Sequence, residues 1–257
     1  MMKKKIHIGF VIIVVTALQW GKIVYAHEAV IAKELVPPAV DQIDQKIKSE
    51  ALKTLKGAIQ KLLDMDYYKA EMQYSVFYNN TTNFTQPSES TPGTIIKRKD
   101  NFLQTEEGNV TLLNKNYQIH IREKTKLIVV MERREQKIPG LDFNVDSLSK
   151  VVTDVRSIPN GFQIDIEKGE LSKIDIELDE HGFIKKWRNY YRDKKDFGDG
   201  AIRVVLEVFY KNIEQDINVS SEYFSELQYV SIDPKTKEIS GVGKFKNYTV
   251  INQLPKK

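Results

Sequence analysis

Few side chains in this chain are of the types that do chemistry. There is no cysteine, which excludes thiol nucleophiles, thiolate zinc sites and disulfides. Beyond the N-terminal segment the histidines are His27, His120 and His181, and none has a second histidine at the H-x-x-x-H spacing of a metal site. His120 stands between Gln118 and Arg122, and His181 sits in a turn-like His-Gly pair. Asp196, Asp199 and Glu207 are the carboxylates that could meet as an acid–base pair, although acidic rows on strands ordinarily serve solvation. Asp193, Asp196 and Asp199 are spaced as calcium ligands are, but the full series of a calcium loop is missing, so the stretch reads as a turn. There is no nucleophile elbow and no phosphate loop. The expectation is a protein that is not an enzyme, with no cofactor and no metal, whose function is binding.

The elements that would position a binding face are clearer. Val40, Ile43, Ile47, Ala51, Leu55, Ile59, Leu62 and Leu63 recur at three- and four-residue steps, which predicts one amphipathic helix over 39–63. Tyr68 to Tyr78 alternates and predicts a long strand; Asn79 to Pro92 is polar and reads as an exposed loop. Gly93 to Glu132 is the organising stretch. Tyr117, Ile119 and Ile121 face one way and Gln118, His120 and Arg122 the other, with turn-like breaks at Lys99-Asp100, Glu106-Glu107-Gly108, Lys115-Asn116 and Lys124-Thr125. That predicts four or five antiparallel strands with one face buried and one wet. Val145, Leu148, Val151, Val152 and Val155 suggest a short second helix within 141–155. Strands follow at 161–167, 171–178, 183–191 and 201–210, then a single turn after Ser220 carrying Phe224, and final strands at 229–232 and 244–251. Asp193 to Gly200 reads as an exposed loop.

The first residues set the compartment. Lys3, Lys4 and Lys5, an apolar run from Ile8 to Leu18 and small residues near Ala26 make a secretory signal peptide, 1–26. That segment holds four of the 39 basic residues and no acid, so the mature chain carries 35 basic against 35 acidic residues. A neutral chain gives no reason to expect nucleic acid as a partner. Residues 27–257 are expected to form one domain, a soluble monomer outside the cytoplasm.

About ten or eleven strands at about 4.8 Å spacing make a sheet far wider than two helices can cover. The remaining apolar face must curl into an incomplete barrel, dimerise, keep a concavity for a greasy ligand, or wrap tightly on its helix with no cavity. These outcomes stay open at this point.

The order of signal peptide, long helix, long strand, polar loop and GTIIKRKDNF resembles the LolA-like family of periplasmic carriers for outer-membrane lipoproteins, through Gly93, Lys97, Arg98 and Phe102. LDEHGFIKKW and VVLEVFYKNIEQDINVSSEYF resemble later parts of that family, with Asn212, Ile217, Asn218 and Phe224 at the matching positions. The chain departs from the pattern at Lys99 and in FSELQYV, where prolines would stand. The resemblance implies an α+β fold, mainly antiparallel: a curved, incompletely closed barrel of about eleven strands with the helices covering its concave face. It implies binding of acyl chains of lipid or lipoprotein in the periplasm, with membrane-bound donor and acceptor proteins. Met72, Tyr74, Val76, Ile96, Ile119, Ile121, Val204, Leu206 and Val208 would line the concavity. Arg98, expected to share a face with Ile96, would latch the lid. The competing reading is an envelope protein–protein interaction module with a filled core and no lipid.

Overall fold

The structure, a computed structural model, describes residues 40–79, 82–133, 145–193, 195–196 and 201–255. The expected signal peptide, the lead 27–39 and the connector 134–140 lie outside the described residues. Helix α1 is Val40–Asp64 and strand β1 is Tyr67–Tyr78, both within a residue or so of expectation. The meander has five strands: β2 Glu89–Arg98, β3 Asn101–Glu106, β4 Asn109–Leu113, β5 Tyr117–Arg122 and β6 Leu127–Glu132. The breaks fall where the turn-like groups stand, and Lys99, Glu107 and Lys126 take positive φ there.

The second block holds α2 (Val145–Ser149), β7 (Val152–Ile158), β8 (Gly161–Ile166), β9 (Leu171–Leu178) and β10 (Ile184–Tyr191). After it come β11 (Lys195–Asp196), β12 (Ala201–Ile202) and β13 (Val204–Gln215), then β14 (Val230–Ile232), β15 (Ile239–Gly241) and β16 (Thr249–Gln253). The described residues form one twelve-stranded sheet in the order β16-β6-β5-β4-β3-β2-β1-β13-β10-β9-β8-β7. β16 joins β6 in parallel; every other neighbouring pair in this sheet is antiparallel. The sheet is large and curved and does not close.

Four details differ from the sequence reading. The polar loop ends early, because β2 starts at Glu89 and runs through Pro92. Pro92 pairs only with Gln73 on β1, since β3 begins its pairing at Gly93, so the strand has a free side where a missing N–H costs nothing. The expected helix within 141–155 is five residues long, and Val152 and Val155 belong to β7. An i, i+3 step belongs to a helix or to a strand with one extra residue; a bulge between Val152 and Asp154 brings Val152 and Val155 to the same face, and β-branched residues favour the strand. Lys195–Asp196 and Ala201–Ile202 pair as a short ribbon inside the stretch read as loop and strand. The last strand starts only at Thr249, after a 3-10 turn over Gly243–Phe245.

Register gives the sheet two buried faces. On one, Ala70, Ile95 and Gln104 lie opposite one another on β1, β2 and β3, as do Tyr68, Lys97 and Phe102. Leu55, Ala58, Ile59 and Leu62 of α1 pack on this face with Met72, Tyr74, Ile95, Phe102, Leu113, Ile164 and Ile174. We call it the helix face. On the other, Ile96, Leu103, Leu112, Ile119 and Val130 line up across β2 to β6. Here the cover is the C-terminal segment, through Val219, Phe224, Tyr229, Val230 and Phe245. We call it the tail face. The expectation of a single buried face and a wet one is therefore corrected for β3 and β4, where Leu112 and Leu113, adjacent in sequence, are buried on opposite sides; on β5 and β6 the tail side is buried and the other side half-exposed.

Candidate functional site

Six of the expected lining residues come together on the helix face. Met72, Tyr74 and Val76 on β1 lie beside Tyr210, Val208 and Leu206 on β13, and Val204 follows opposite Tyr78. Met72, Tyr74, Val76, Val204 and Leu206 are buried in the cluster under α1, and Val208 packs against it half-buried.

The other four do not join them. Ile96, Ile119 and Ile121 belong to the tail-face cluster. Arg98 stands with Ile96 on that side, half-exposed, and its guanidinium makes no hydrogen bond or ion pair among the described residues. The reason is strand parity: successive side chains point to opposite faces, so placing Ile96 rather than Ile95 on the side of Met72 and Tyr74 flips every residue of β2. The repeat T-I-I-K-R offers an apolar and a basic residue at each parity, and the alternation alone cannot choose.

The residue that holds the helix is Lys97. Its side chain is 4% exposed, and its ammonium donates to the carbonyl of Leu63 at 2.8 Å and also to that of Met65. The last carbonyls of a helix have no partner within it and form its negative end, so a cation there satisfies both hydrogen bonding and the dipole. Burial lowers the Lys97 pKa, opposed by Asp66, Asp100 and Asp64 nearby. Two more lysines tie α1 to the distant half of the sheet, Lys48 to the carbonyl of Val152 (2.5 Å) and Lys61 to that of His181 (2.7 Å).

Farther along the same face the lining becomes polar. The Tyr74 ring lies over Gly93, where a Cβ would meet Tyr74 Cε2 at 2.6 Å and the Thr105 carbonyl oxygen at 3.1 Å. That glycine lets the ring lie flat on the sheet, so that the Gln104 amide donates to the Tyr74 hydroxyl at 2.7 Å. Glu106, opposite Gly93, is 3% exposed, and its Oε2 has no hydrogen-bond partner. Burial, with Glu107 beside it, pushes the Glu106 carboxyl up to about 7. His120 also lies on this side, opposite Thr111 and half-buried. The Gln118 amide donates to His120 Nε2 at 2.7 Å, which leaves Nδ1–H to donate to Thr111 Oγ1 at 3.1 Å. Burial first, then Arg122, lowers the His120 pKa to about 4, so the ring is neutral at physiological pH.

No family model matches the chain, and no curated protein matches it in sequence. Solved structures do resemble it. An uncharacterized conserved protein from Thermus thermophilus is 10% identical with a TM-score of 0.41, over 79% of this chain and 99% of that one. A putative outer membrane lipoprotein-sorting protein domain from Vibrio parahaemolyticus is 12% identical with a TM-score of 0.30, over 70% and 98%. A LolA superfamily protein from Nitrosomonas europaea is 9% identical with a TM-score of 0.32, over 68% and 97%. At such identities and scores these likenesses say nothing of what this chain binds.

Of the carboxylates considered for acid–base work, Asp196 and Glu207 are among the described residues. Glu207 accepts from Arg188 Nε at 2.5 Å in an ion pair on the side of the sheet away from α1. Asp196 is in the short ribbon, and Asp199 lies outside the described residues. Sequence reasoning missed Lys97, Gln104 and Glu106, because polar residues at alternating positions read as a solvated face. It also missed a pocket of about 510 Å³ between the β4–β5 turn, the end of β6 and the C-terminus, lined by Lys115, Tyr117, Glu132, Arg133, Lys237 and Leu254. No local motif marks that pocket, since its C-terminal wall reaches the others through the parallel pairing of β16 with β6.

Proposed function

We propose that this chain is an exported, non-catalytic protein of the cell envelope that binds acyl chains of lipid or lipoprotein on the helix face, with α1 as a displaceable cover. The observation that carries this reading is the way α1 is held. Its apolar stripe lies on an apolar sheet face, while its end is fixed by one buried ammonium on two carbonyls. A few charge-assisted bonds are worth at most a few kcal/mol, at about 1.5–3 kcal/mol each. An acyl chain gains about 0.8 kcal/mol per buried methylene. A bound chain can therefore repay the release of the helix end. The tail face is held differently: its cover follows the sheet in chain order, is tied down by the buried Asn114 amide donating to the Phe224 carbonyl (3.2 Å) and the Glu226 carboxylate (2.7 Å), and ends in a strand paired to β6.

Acyl chains would replace the α1 side chains against Met72, Tyr74, Val76, Leu206 and Val208. Native mass spectrometry of protein purified from its host, with uptake of a labelled acyl chain, tests the reading. Co-purified lipid and saturable uptake are expected. Protein that is consistently lipid-free and takes up no label contradicts it and favours the partner-binding module, which cross-linking would then reveal as one stoichiometric protein.

A further inference from the structure

The helix face has opposite polar ends. Lys97 and Phe102 are paired at one end, and Gly93 and Glu106 at the other, four residues along each strand. At about 3.4 Å per residue the separation is about 14 Å. The ammonium at the first end is satisfied twice by the cover helix. At the second end Glu106 is buried and its Oε2 is bonded to nothing. Two polar side chains on the same face are already engaged. Gln104 donates to Tyr74, and Thr91 Oγ1 donates to Glu107 Oε2 at 3.2 Å. A buried carboxylate oxygen without a donor is a rare and unfavourable arrangement, and here it lies on the face assigned to the ligand.

We propose that Glu106 receives the polar end of the bound amphiphile, accepting a hydrogen bond from a donor such as a hydroxyl, an amide N–H or an ammonium. The site selects ligands whose head group donates and rejects those that end in an anion. This rests on the acyl-binding reading above and adds the class of head group. Ionised carboxylate accepts only and repels a second carboxylate. The raised proton affinity of the Glu106 carboxyl is what a desolvated acid with no donor displays.

The test uses the purified protein at pH 8 and four twelve-carbon amphiphiles: dodecanoate, monododecanoylglycerol, dodecylammonium and dodecyltrimethylammonium. The last carries charge but no N–H. Wild type should bind monododecanoylglycerol and dodecylammonium at least about ten-fold more tightly than dodecanoate, the effect of one hydrogen bond to a charged group. Dodecylammonium should also exceed dodecyltrimethylammonium. Glu106→Leu should bring all four within about two-fold of each other. Glu106→Gln keeps a carbonyl acceptor, so it should retain the preference for the glycerol ester over dodecanoate while losing most of the preference for ammonium. Equal binding of dodecanoate and the donor-bearing ligands by wild type overturns the assignment of Glu106 and leaves acyl binding standing. So does an unchanged ranking in Glu106→Leu. Failure of all four to bind overturns both.

Discussion

The two faces of the meander both carry buried residues but are differently closed. The helix face carries apolar residues under α1 and then a polar stretch of Tyr74, Gln104, Glu106, Thr111 and His120. The tail face is apolar along the row Leu103, Leu112, Ile119 and Val130 and is met by apolar residues of the C-terminal segment, with the buried Asn114 amide bonded to Phe224 and Glu226 beside them. A face built only for stability has no use for a buried acid lacking a partner. On the reading proposed above, these polar residues belong to the face that meets a ligand, and the tail face is the permanent core. Burial alone does not separate the two; the kind of residue buried does.

The most demanding check on two-sidedness uses two adjacent residues. Leu112 is 0% exposed on the tail face and Leu113 is 1% exposed on the helix face. Leu112→Ala and Leu113→Ala should each cost about 2–5 kcal/mol in chemical denaturation, as fully buried leucines do. If either changes stability by less than about 0.5 kcal/mol, as surface positions do, one of the two covers is wrongly placed.

The polar stretch makes a pH prediction with two opposing parts. His120 is held neutral, with its pKa lowered from 6.5 to about 4. The unfolded chain takes up that proton first as the solution is acidified, so this contribution to stability is lost as pH falls from about 6.5 to about 4. Glu106 behaves in the opposite sense. Its pKa is raised from 4.5 to about 7, so the folded chain holds the proton longer and stability is lost as pH rises through that window. Each contribution is at most about 3 kcal/mol. Glu106→Gln should therefore gain stability relative to wild type between pH 4.5 and pH 8. His120→Gln should gain relative to wild type as pH falls over the same range. Denaturation midpoints for both variants at several pH values check the signs, and parallel curves for variant and wild type would show that neither group is buried as described.

A smaller effect distinguishes neighbouring basic residues. Lys97→Met removes the donor to the Leu63 and Met65 carbonyls and should cost about 1–3 kcal/mol. It should also loosen the end of α1, seen as faster amide exchange over its last turns. Arg98→Met should change stability by no more than about 0.5 kcal/mol. Equal effects would mean that β2 is rotated by one residue and that the arginine, not the lysine, faces the helix.

Much of the fold was legible in the residues. The i, i+3, i+4 pattern located α1, and the turn groups at Lys99, Glu107 and Lys124 divided the meander correctly, because both signals are local. The site was half legible. The β1 and β13 positions were recognisable since their polar alternates, such as Lys69, Glu71 and Gln73, mark a wet side. The β2 and β5 positions were not. TIIKR has an apolar and a basic residue on either face, and Ile119 and Ile121 look equally suited to any buried face. Only the pairing of Ile95 with Gln104 and of Ile119 with Val130, together with a C-terminal cover more than eighty residues away in sequence, decides which side each one serves.

The division of labour between the faces is tested most directly by photolabelling. A fatty acyl chain bearing a diazirine near its methyl end, incubated with the protein and irradiated, should attach to residues of the helix face such as Met72, Tyr74, Ile95, Leu206 or Leu55 of α1. It should spare Ile96, Leu112, Ile119 and Ile121. Label concentrated on those four, with the helix face unmarked, would contradict the account and place the acyl site beneath the C-terminal segment.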